Sequence, residues 1–418
     1  MKEIANDSEE FKKYIEDKKI SLALMASFVI LIIQYFILIY FNLIDSGTGS
    51  RIQLISKGLV GVAFLYAFPS VLKRSGIKAI GIYGFSIFIF LIHFTIFPEN
   101  RTYMTNLIFP FFFMSLPAFI YTLSIKDLRV FKTIMKKLGY IVFIFGLLIG
   151  MLVFLGRTSV GAYSMSLSYY MLLPTILFLD ELLDKFSLKT LVLVGISLLI
   201  ILALGSRGAI LCVIVFIILK FIRPNSKRTY KRALGHFSII CVGVVALVFM
   251  EQILMSIYNF LMRFGINSRS LILFTRENIY LTGRDRIYEN VLSEILENPI
   301  LGIGIAGDTR IIGNSYVHNF FIEVVGNFGV VLGSILSITV LLLIIKSLLT
   351  KDTLKYNLFI IWLSLGFVHL MVSSSYLTDL KFWIFLGLMI NFNKAVAKRK
   401  YTKSIDVVDN INVIEGRN

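Results

Sequence analysis

The chain has 418 residues, 57% of them hydrophobic and 14% aromatic, with a mean hydropathy of +0.82 and a net charge of +17. A water-soluble protein this apolar could not cover its own surface, so a soluble globular class is excluded and a polytopic membrane protein is expected. The positive charge does not by itself indicate nucleic acid, because in a membrane protein the first question is which side carries it.

The first nineteen residues are rich in charge, with Lys2, Glu3, Asp7, Glu9, Glu10, Lys12 and Lys13. The run from Ile20 to Ile44 that follows is long enough to span a bilayer and is expected to stay there rather than leave as a cleaved signal. Further apolar runs recur at 53–72, 76–97, 103–125, 138–155, 163–183, 188–204, 208–222, 234–260, 329–349, 355–375 and 379–393. The expected fold is therefore all-α, with about twelve transmembrane helices. Cys212 and Cys241 fall in apolar runs without ligand-like spacing, so they read as small core residues rather than a disulfide or a zinc site.

The connections alternate in charge. The N-terminal tail, 73–78, 126–137, 180–189, 220–232, 346–355 and the tail from Lys394 hold 30 of the 42 Lys and Arg residues. The positive-inside rule makes this set cytoplasmic and puts both termini inside. The block Lys220, Arg223, Lys227, Arg228, Lys231, Arg232 is then a topological anchor. Between Leu188 and Ile222 the apolar run is nearly continuous, and as a single helix it would be about 52 Å long, too much for one crossing. Inside-type charge lies at both ends, so it must fold back at its only turn-like material, Gly205-Ser206-Arg207-Gly208, which places Arg207 at an outer tip.

The expected organisation is a tail over 1–19, a transmembrane bundle over 20–260, an extracytoplasmic loop over 261–328, a C-terminal transmembrane part over 329–393 and a tail over 394–418. The outer set has its own chemistry: Arg51, Arg101, Arg157, Arg207, Arg263, Arg269, Arg276, Arg284, Arg286 and Arg310, with Lys381 its one lysine. Inside there are 23 Lys and 7 Arg. Arg pairs phosphate and carboxylate through a bidentate fork and keeps its charge when partly desolvated. The bias suits recognition of phosphate or acidic sugars; anchoring in lipid headgroups is the alternative.

The long polar stretch 262–333 holds most of the remaining signals. From Thr282-Gly283-Arg284 to Glu297 it scans as an amphipathic helix. Ile287, Tyr288, Val291, Leu292, Ile295 and Leu296 form the apolar stripe, and Asn298-Pro299 is the stop. At about 14 residues it is too short and too charged to span, and is expected to lie on the membrane surface or the bundle. Arg284 then sits at a helix N-terminus, where free amides and the dipole already favour an anion. A pyrophosphate cradle and a headgroup anchor are both open for it. Gly302 and Gly304 read as a turn at which the backbone passes close to something. Of four histidines only His318 lies where this outer loop meets the next helix, and an imidazole there can take a proton from an attacking hydroxyl near neutral pH. A satisfied interfacial polar residue is the alternative. Asn319 and Glu323, four apart, share a helical face; His318 and Glu323 do not.

In their order and spacing, Ser206-Arg207-Gly208, then Thr282-Gly283-Arg284 through Asn298-Pro299 and Gly302-x-Gly304, then His318-Asn319 with Gly329 beyond, resemble the O-antigen polymerase/ligase superfamily. The resemblance covers about 206–333, roughly a third of the chain. It departs where the family's second glycine is Leu332 here, with Gly333 one step later. It implies glycosyl transfer without metal or other cofactor on the outer face of the bacterial plasma membrane, from a saccharide on undecaprenyl pyrophosphate. His318 would be the general base, Arg207 and Arg284 would hold the pyrophosphate, and Arg157, Arg286, Asn319, Glu323, Gly302 and Gly304 would contact substrate. The expected partners are the lipid-linked oligosaccharide and membrane lipids, with a chain-length regulator protein as a candidate and no nucleic acid. The lack of Asp-x-Asp in the outer loop agrees with a reaction that needs no divalent ion.

A polymerase, adding the growing glycan to the next lipid-linked repeat unit, is favoured over a ligase acting on lipid A–core. The Ile-, Lys- and Asn-rich composition suits a low-GC organism without lipopolysaccharide. A flippase or transporter of the same lipids would show charges deep in several spans and repeated halves. Lys57 is the one Lys or Arg deep within a span, and no repeat is visible.

Overall fold

A computed structural model describes residues 2–44, 46–154, 164–204, 206–222, 250–263, 284–313 and 315–393. The described residues are mostly helical, and none of them forms a strand. In chain order the helices are α1 Lys2–Tyr40, α2 Gly47–Ile96, α3 Arg101–Pro110, α4 Leu116–Ser124, α5 Leu128–Phe154, α6 Ser164–Asp184 and α7 Leu188–Leu204. They continue with α8 Arg207–Ile222, α9 Met250–Met262, α10 Arg284–Glu297, α11 Gly307–Ile312, α12 Phe320–Leu348, α13 Thr353–Trp362 and α14 Leu380–Asn393. Five helical stretches among the described residues are long and apolar enough to cross a membrane: Glu9–Tyr40, Gly47–Ile96, Pro98–Ser124, Leu128–Leu152 and Phe320–Leu348. Most of the expected run 234–260, the basic block beyond Ile222, Cys241 and the tail from Lys394 lie outside the described residues.

Two of these stretches are broken by a single residue. At about 1.5 Å per residue the 50 residues of α2 would measure about 75 Å, against about 30 Å of hydrocarbon. The helix breaks at Ser75 (φ −144°, ψ 18°), within the connection expected at 73–78. The reason lies in the neighbours. Arg74 turns its guanidinium to Asp17, to Glu16 Oε2 at 2.8 Å and to the Ser124 carbonyl at 3.0 Å, while Lys73 reaches Glu16 Oε1 at 2.7 Å. Asp17, itself buried, also accepts the Lys126 and Asp127 amides at 2.9 and 3.1 Å. A buried charge persists only when paired and hydrogen-bonded, so this network ties α1 to the break in α2 and to the connection between α4 and α5. A second network joins Asp180 on α6 to Lys132 on α5 at 2.9 Å and to Lys220 on α8. Both networks connect only segments that the charge alternation assigns to one side.

The second break, in α12, shapes the site. Gly329 has φ 78° and ψ 169°, a region open essentially to glycine alone. A straight helix would have the Val330 amide donate to the Gly326 carbonyl. Here Val330 N donates to Pro299 O at 2.7 Å, and Gly326 O accepts from Ile303 N at 2.8 Å. The turn after α10 thus supplies the partner of each group freed by the break, as buried backbone groups require. The expected span at 329–349 is the part of α12 beyond the break; the part before it, from Phe320, packs under α10.

That packing follows the sequence stripe. Val291 and Ile295 of α10 are buried with Ile303 and Val317, and Ile322 and Val325 of α12 pack against them. Leu292 and Leu296, on the same stripe, remain 42% and 72% exposed because nothing among the described residues covers that edge.

The C-terminal part differs from expectation. The run read as one span over 355–375 is α13 followed by a π-helical turn, Leu363–Val368, and its helix ends near His369. Residues 371–379 are an irregular loop, with Ser374 at φ 69°. Buried non-helical backbone needs hydrogen-bond partners within the protein. They are present: Arg284 donates to Val372 O, Trp383 Nε1 to Tyr376 O, and Tyr376 N to Glu323.

Candidate active site

The loop 315–319 is built to present His318. Val317 is fully buried in the small core under α10, and its amide donates to Asp308 Oδ2 at 3.1 Å. Asn319 is the N-cap of α12, its Oδ1 accepting from Phe321 N at 3.0 Å and Ile322 N at 3.3 Å. Between these two fixed neighbours His318 is held at φ 57°, a left-handed conformation that costs a non-glycine residue on the order of 1–3 kcal/mol. Its Nδ1 is buried without a hydrogen-bond partner, and its ring lies edge-on to Tyr316 with centroids 4.5 Å apart. Burial lowers the imidazole pKa to about 4, and the nearby charge of Arg284, with His369 after it, acts in the same direction. Burial pushes the Asp308 carboxyl up.

Truncating the cap tests this construction. Asn319→Ala is expected to remove about 1 kcal/mol of stability. For the glycosyl transfer that the resemblance implies, it should also lower the rate more than a substitution on the exposed face of α10, because the cap fixes the residue beside His318. Thermal unfolding and initial rates of the purified variant would check both.

Arg284 is the first residue of α10, and its Nη2 donates to the Val372 carbonyl at 2.7 Å. The same loop meets the turn between α7 and α8. Tyr169 makes side-chain hydrogen bonds with Ser206 and Ser373, and a Cβ on Gly208 would overlap the Tyr169 hydroxyl and come within 2.9 Å of Val372. Ser206 also caps α8 through Ala209 N at 3.3 Å. Tyr316, two residues before His318, bonds the Ser374 backbone, so segments far apart in the chain, 206–208, 284 and the loop of His318 through Tyr316, converge on 372–374.

The other expected residues are placed as follows. Arg207 opens α8, but its side chain, like Arg157 and Thr282-Gly283 as a whole, lies outside what is described. Arg286 is exposed on α10. Glu323 is buried at 2% exposure and accepts from the Ser375 hydroxyl and from Tyr376 N at 3.2 Å, so it ties α12 to the 371–379 loop. Gly302 and Gly304 have φ of 70° and 75°. A side chain at Gly302 would overlap the Gly326 carbonyl and one at Gly304 the Phe97 ring, so what the backbone approaches closely is the protein itself. Of the outer arginines, Arg310 donates to Asn100 Oδ1 at 3.0 Å and Arg101 to the Phe94 carbonyl at 2.9 Å.

The sequence reading did not single out His369, Asp379 or Tyr169 for the site. His369 Nδ1 lies 2.7 Å from Asp379 Oδ2, Lys381 Nζ lies 3.5 Å from the same oxygen, and the Tyr169 ring centroid is 4.0 Å from that of His369. The available signal was the occurrence of three ionisable residues within an otherwise apolar stretch.

Residues 192–337 match the family model described as O-antigen ligase. No curated protein and no solved structure matches the chain. The matched stretch contains the 206–208 turn, Arg284, His318 and the break at Gly329; it stops before His369 and Asp379. The match covers about a third of the chain, and over that stretch the protein is similar to the O-antigen ligase family, which supports the O-antigen polymerase/ligase superfamily.

Proposed function

We propose that the protein is a polysaccharide polymerase of the outer face of the plasma membrane, moving a growing glycan from undecaprenyl pyrophosphate to the next lipid-linked repeat unit. The observation that carries this reading is the convergence of the 206–208 turn, Arg284 and, through Tyr316, the loop of His318 on residues 372–374, with Arg284 close enough to act on the His318 ring. An acceptor hydroxyl attacks the anomeric carbon of the donor sugar as the bond from that carbon to the pyrophosphate oxygen breaks. The bonding pair leaves with the pyrophosphate, whose charge Arg284 and Arg207 offset, and the hydroxyl proton passes to His318. Pyrophosphate is already a good leaving group, so positioning, charge stabilisation and one proton acceptor suffice. Arg157, Arg286 and Asn319 contribute to binding the lipid-linked saccharide, and Glu323, Gly302 and Gly304 shape the ground on which it rests.

Purified protein in liposomes, given its lipid-linked repeat unit as the only substrate, is expected to produce a ladder of lengthening glycans. No ladder, but transfer once lipid A–core is added, would replace polymerase by ligase. Neither product would remove the reading.

The pH profile supplies a second test. His318 must be neutral to accept a proton, and a pKa lowered to about 4 keeps it neutral through the range in which an ordinary histidine, near 6.5, would titrate. The acid limb of kcat/KM, which reports the free enzyme, is therefore expected near pH 4, with no inflection between 6 and 7.

A further inference from the structure

The geometry points to a pyranose-binding subsite inside the helix bundle, in the cavity beside His369. This inference rests on the proposed function only in taking the substrate to be a saccharide. The cavity has a volume of about 240 Å³ and is lined by Tyr35 of α1, Tyr169 and Tyr170 of α6, Tyr316 beside His318, and His369 and Lys381. Drug-sized pockets run to about 300–1,000 Å³, so this one suits a single ring rather than an oligosaccharide. At about 30 Å³ per water it is also far larger than a site for one structural water.

Its polar wall has a defined hydrogen-bonding sense. Asp379 is engaged through both oxygens: Oδ1 takes the Lys381 amide at 2.8 Å, and Oδ2 faces His369 Nδ1 at 2.7 Å and Lys381 Nζ at 3.5 Å. A carboxylate accepts only, so Nδ1 of His369 carries a proton; Lys381 already balances the Asp379 charge, so the buried ring is neutral and its Nε2 keeps the lone pair. That Nε2 is buried and has no partner, on a side chain 5% exposed that lines the cavity. Buried polar atoms are nearly always satisfied, so an orphaned acceptor on a cavity wall is a place for a donor from a bound molecule. Lys381 balances Asp379, which leaves the wall without net charge and favours a neutral ligand. The tyrosine rings offer flat apolar faces with polar tips, which suit a sugar's C–H face and its hydroxyls. Hydrocarbon would leave Nε2 unpaired. The ligand chemistry that fits is a neutral pyranose whose hydroxyl donates to His369 Nε2 while its ring lies against a tyrosine, next to the loop of His318.

The test is direct binding, with ¹⁵N-histidine protein in lipid nanodiscs titrated with the methyl glycosides of glucose, galactose, mannose, rhamnose and N-acetylglucosamine. The chain has four histidines, so the His369 signal is assigned as the one that persists when His93, His236 and His318 are replaced one at a time by Asn. At least one glycoside is expected to move the His369 Nε2 resonance away from that of an unbonded ring nitrogen, saturably, and Tyr170→Ala to weaken the titration by about fivefold or more. If no glycoside moves it, or if Tyr170→Ala titrates like the wild type, the subsite is refuted. Free glycosides require neither carrier lipid nor turnover, so the two ideas fail separately. A glycan ladder without His369 shifts sinks the subsite alone, and shifts without a ladder or ligation sink the proposed function alone.

Discussion

His318→Ala is expected to abolish visible polymerisation, lowering the transfer rate by about 10²–10⁴-fold, the usual worth of a positioned proton acceptor. The chain invests structure in this side chain. Val317 and Asn319 are fixed on either side of it, the residue adopts a left-handed conformation, and a buried ring nitrogen is left without a partner. A histidine whose work were only to satisfy the loop would show the opposite, with relaxed backbone and paired nitrogens. The measurement is the initial rate of glycan extension in liposomes at saturating lipid-linked substrate. On the proposed function, loss of kcat with little change in binding is expected, because there the imidazole would act as the new bond forms. A ladder that survives in His318→Ala would keep the enzyme and remove the base, and attention would then move to His369.

Gly329→Ala is expected to be the most destabilising of the conservative substitutions considered. The backbone at φ 78° and ψ 169° costs an L-residue on the order of 1–3 kcal/mol by itself. Its Cβ would also overlap the Ile300 carbonyl, in the turn whose Pro299 O and Ile303 N satisfy the groups freed by the break. Displacing that turn leaves both unpaired, so the stability and the seat of α10, which carries Arg284, should fail together. Gly195→Ala is the control. Gly195 lies within α7 with nothing near its Cβ, and there alanine should be neutral or stabilising by up to about 1 kcal/mol. Thermal unfolding of the two variants in one detergent separates the outcomes. Equal midpoints would mean that the bend at Gly329 is not required.

Much of the local organisation is legible without a structure. The α10 stripe predicts which residues face inward, down to Val291 and Ile295, and Asn298-Pro299 marks the end of the helix. Glycine at 329 and the charges at 73–78 mark the places where long helices break. The stripe and its stop are visible because they depend on neighbours within a few turns, whereas the breaks are marked in the sequence but held by partners 23 to 58 residues away. The 371–379 loop is not. Its composition reads as a continuation of an apolar span, and its irregular backbone is stable only because Arg284, Glu323 and Trp383 bring donors and acceptors from other helices.

The same division holds for the site. From residue types and order alone the chain is a membrane protein with a polar segment at 262–333, with His318 and Arg284 as its chemically capable residues. Burial periodicity, charge bias and turn chemistry are properties of short windows, and the sequence carries them whole. Only the tertiary structure decides that Glu323 and the glycines at 302 and 304 hold the protein together. Only it shows that Arg310 belongs to Asn100, and that His369, Asp379 and Tyr169 stand in the site's wall. Those assignments are hydrogen bonds and close contacts across up to some two hundred residues of chain, between His369 and Tyr169 or Arg310 and Asn100. A buried polar group takes whichever partner the packing of the helices brings to it, so its partner is set by the fold and not by its neighbours in sequence.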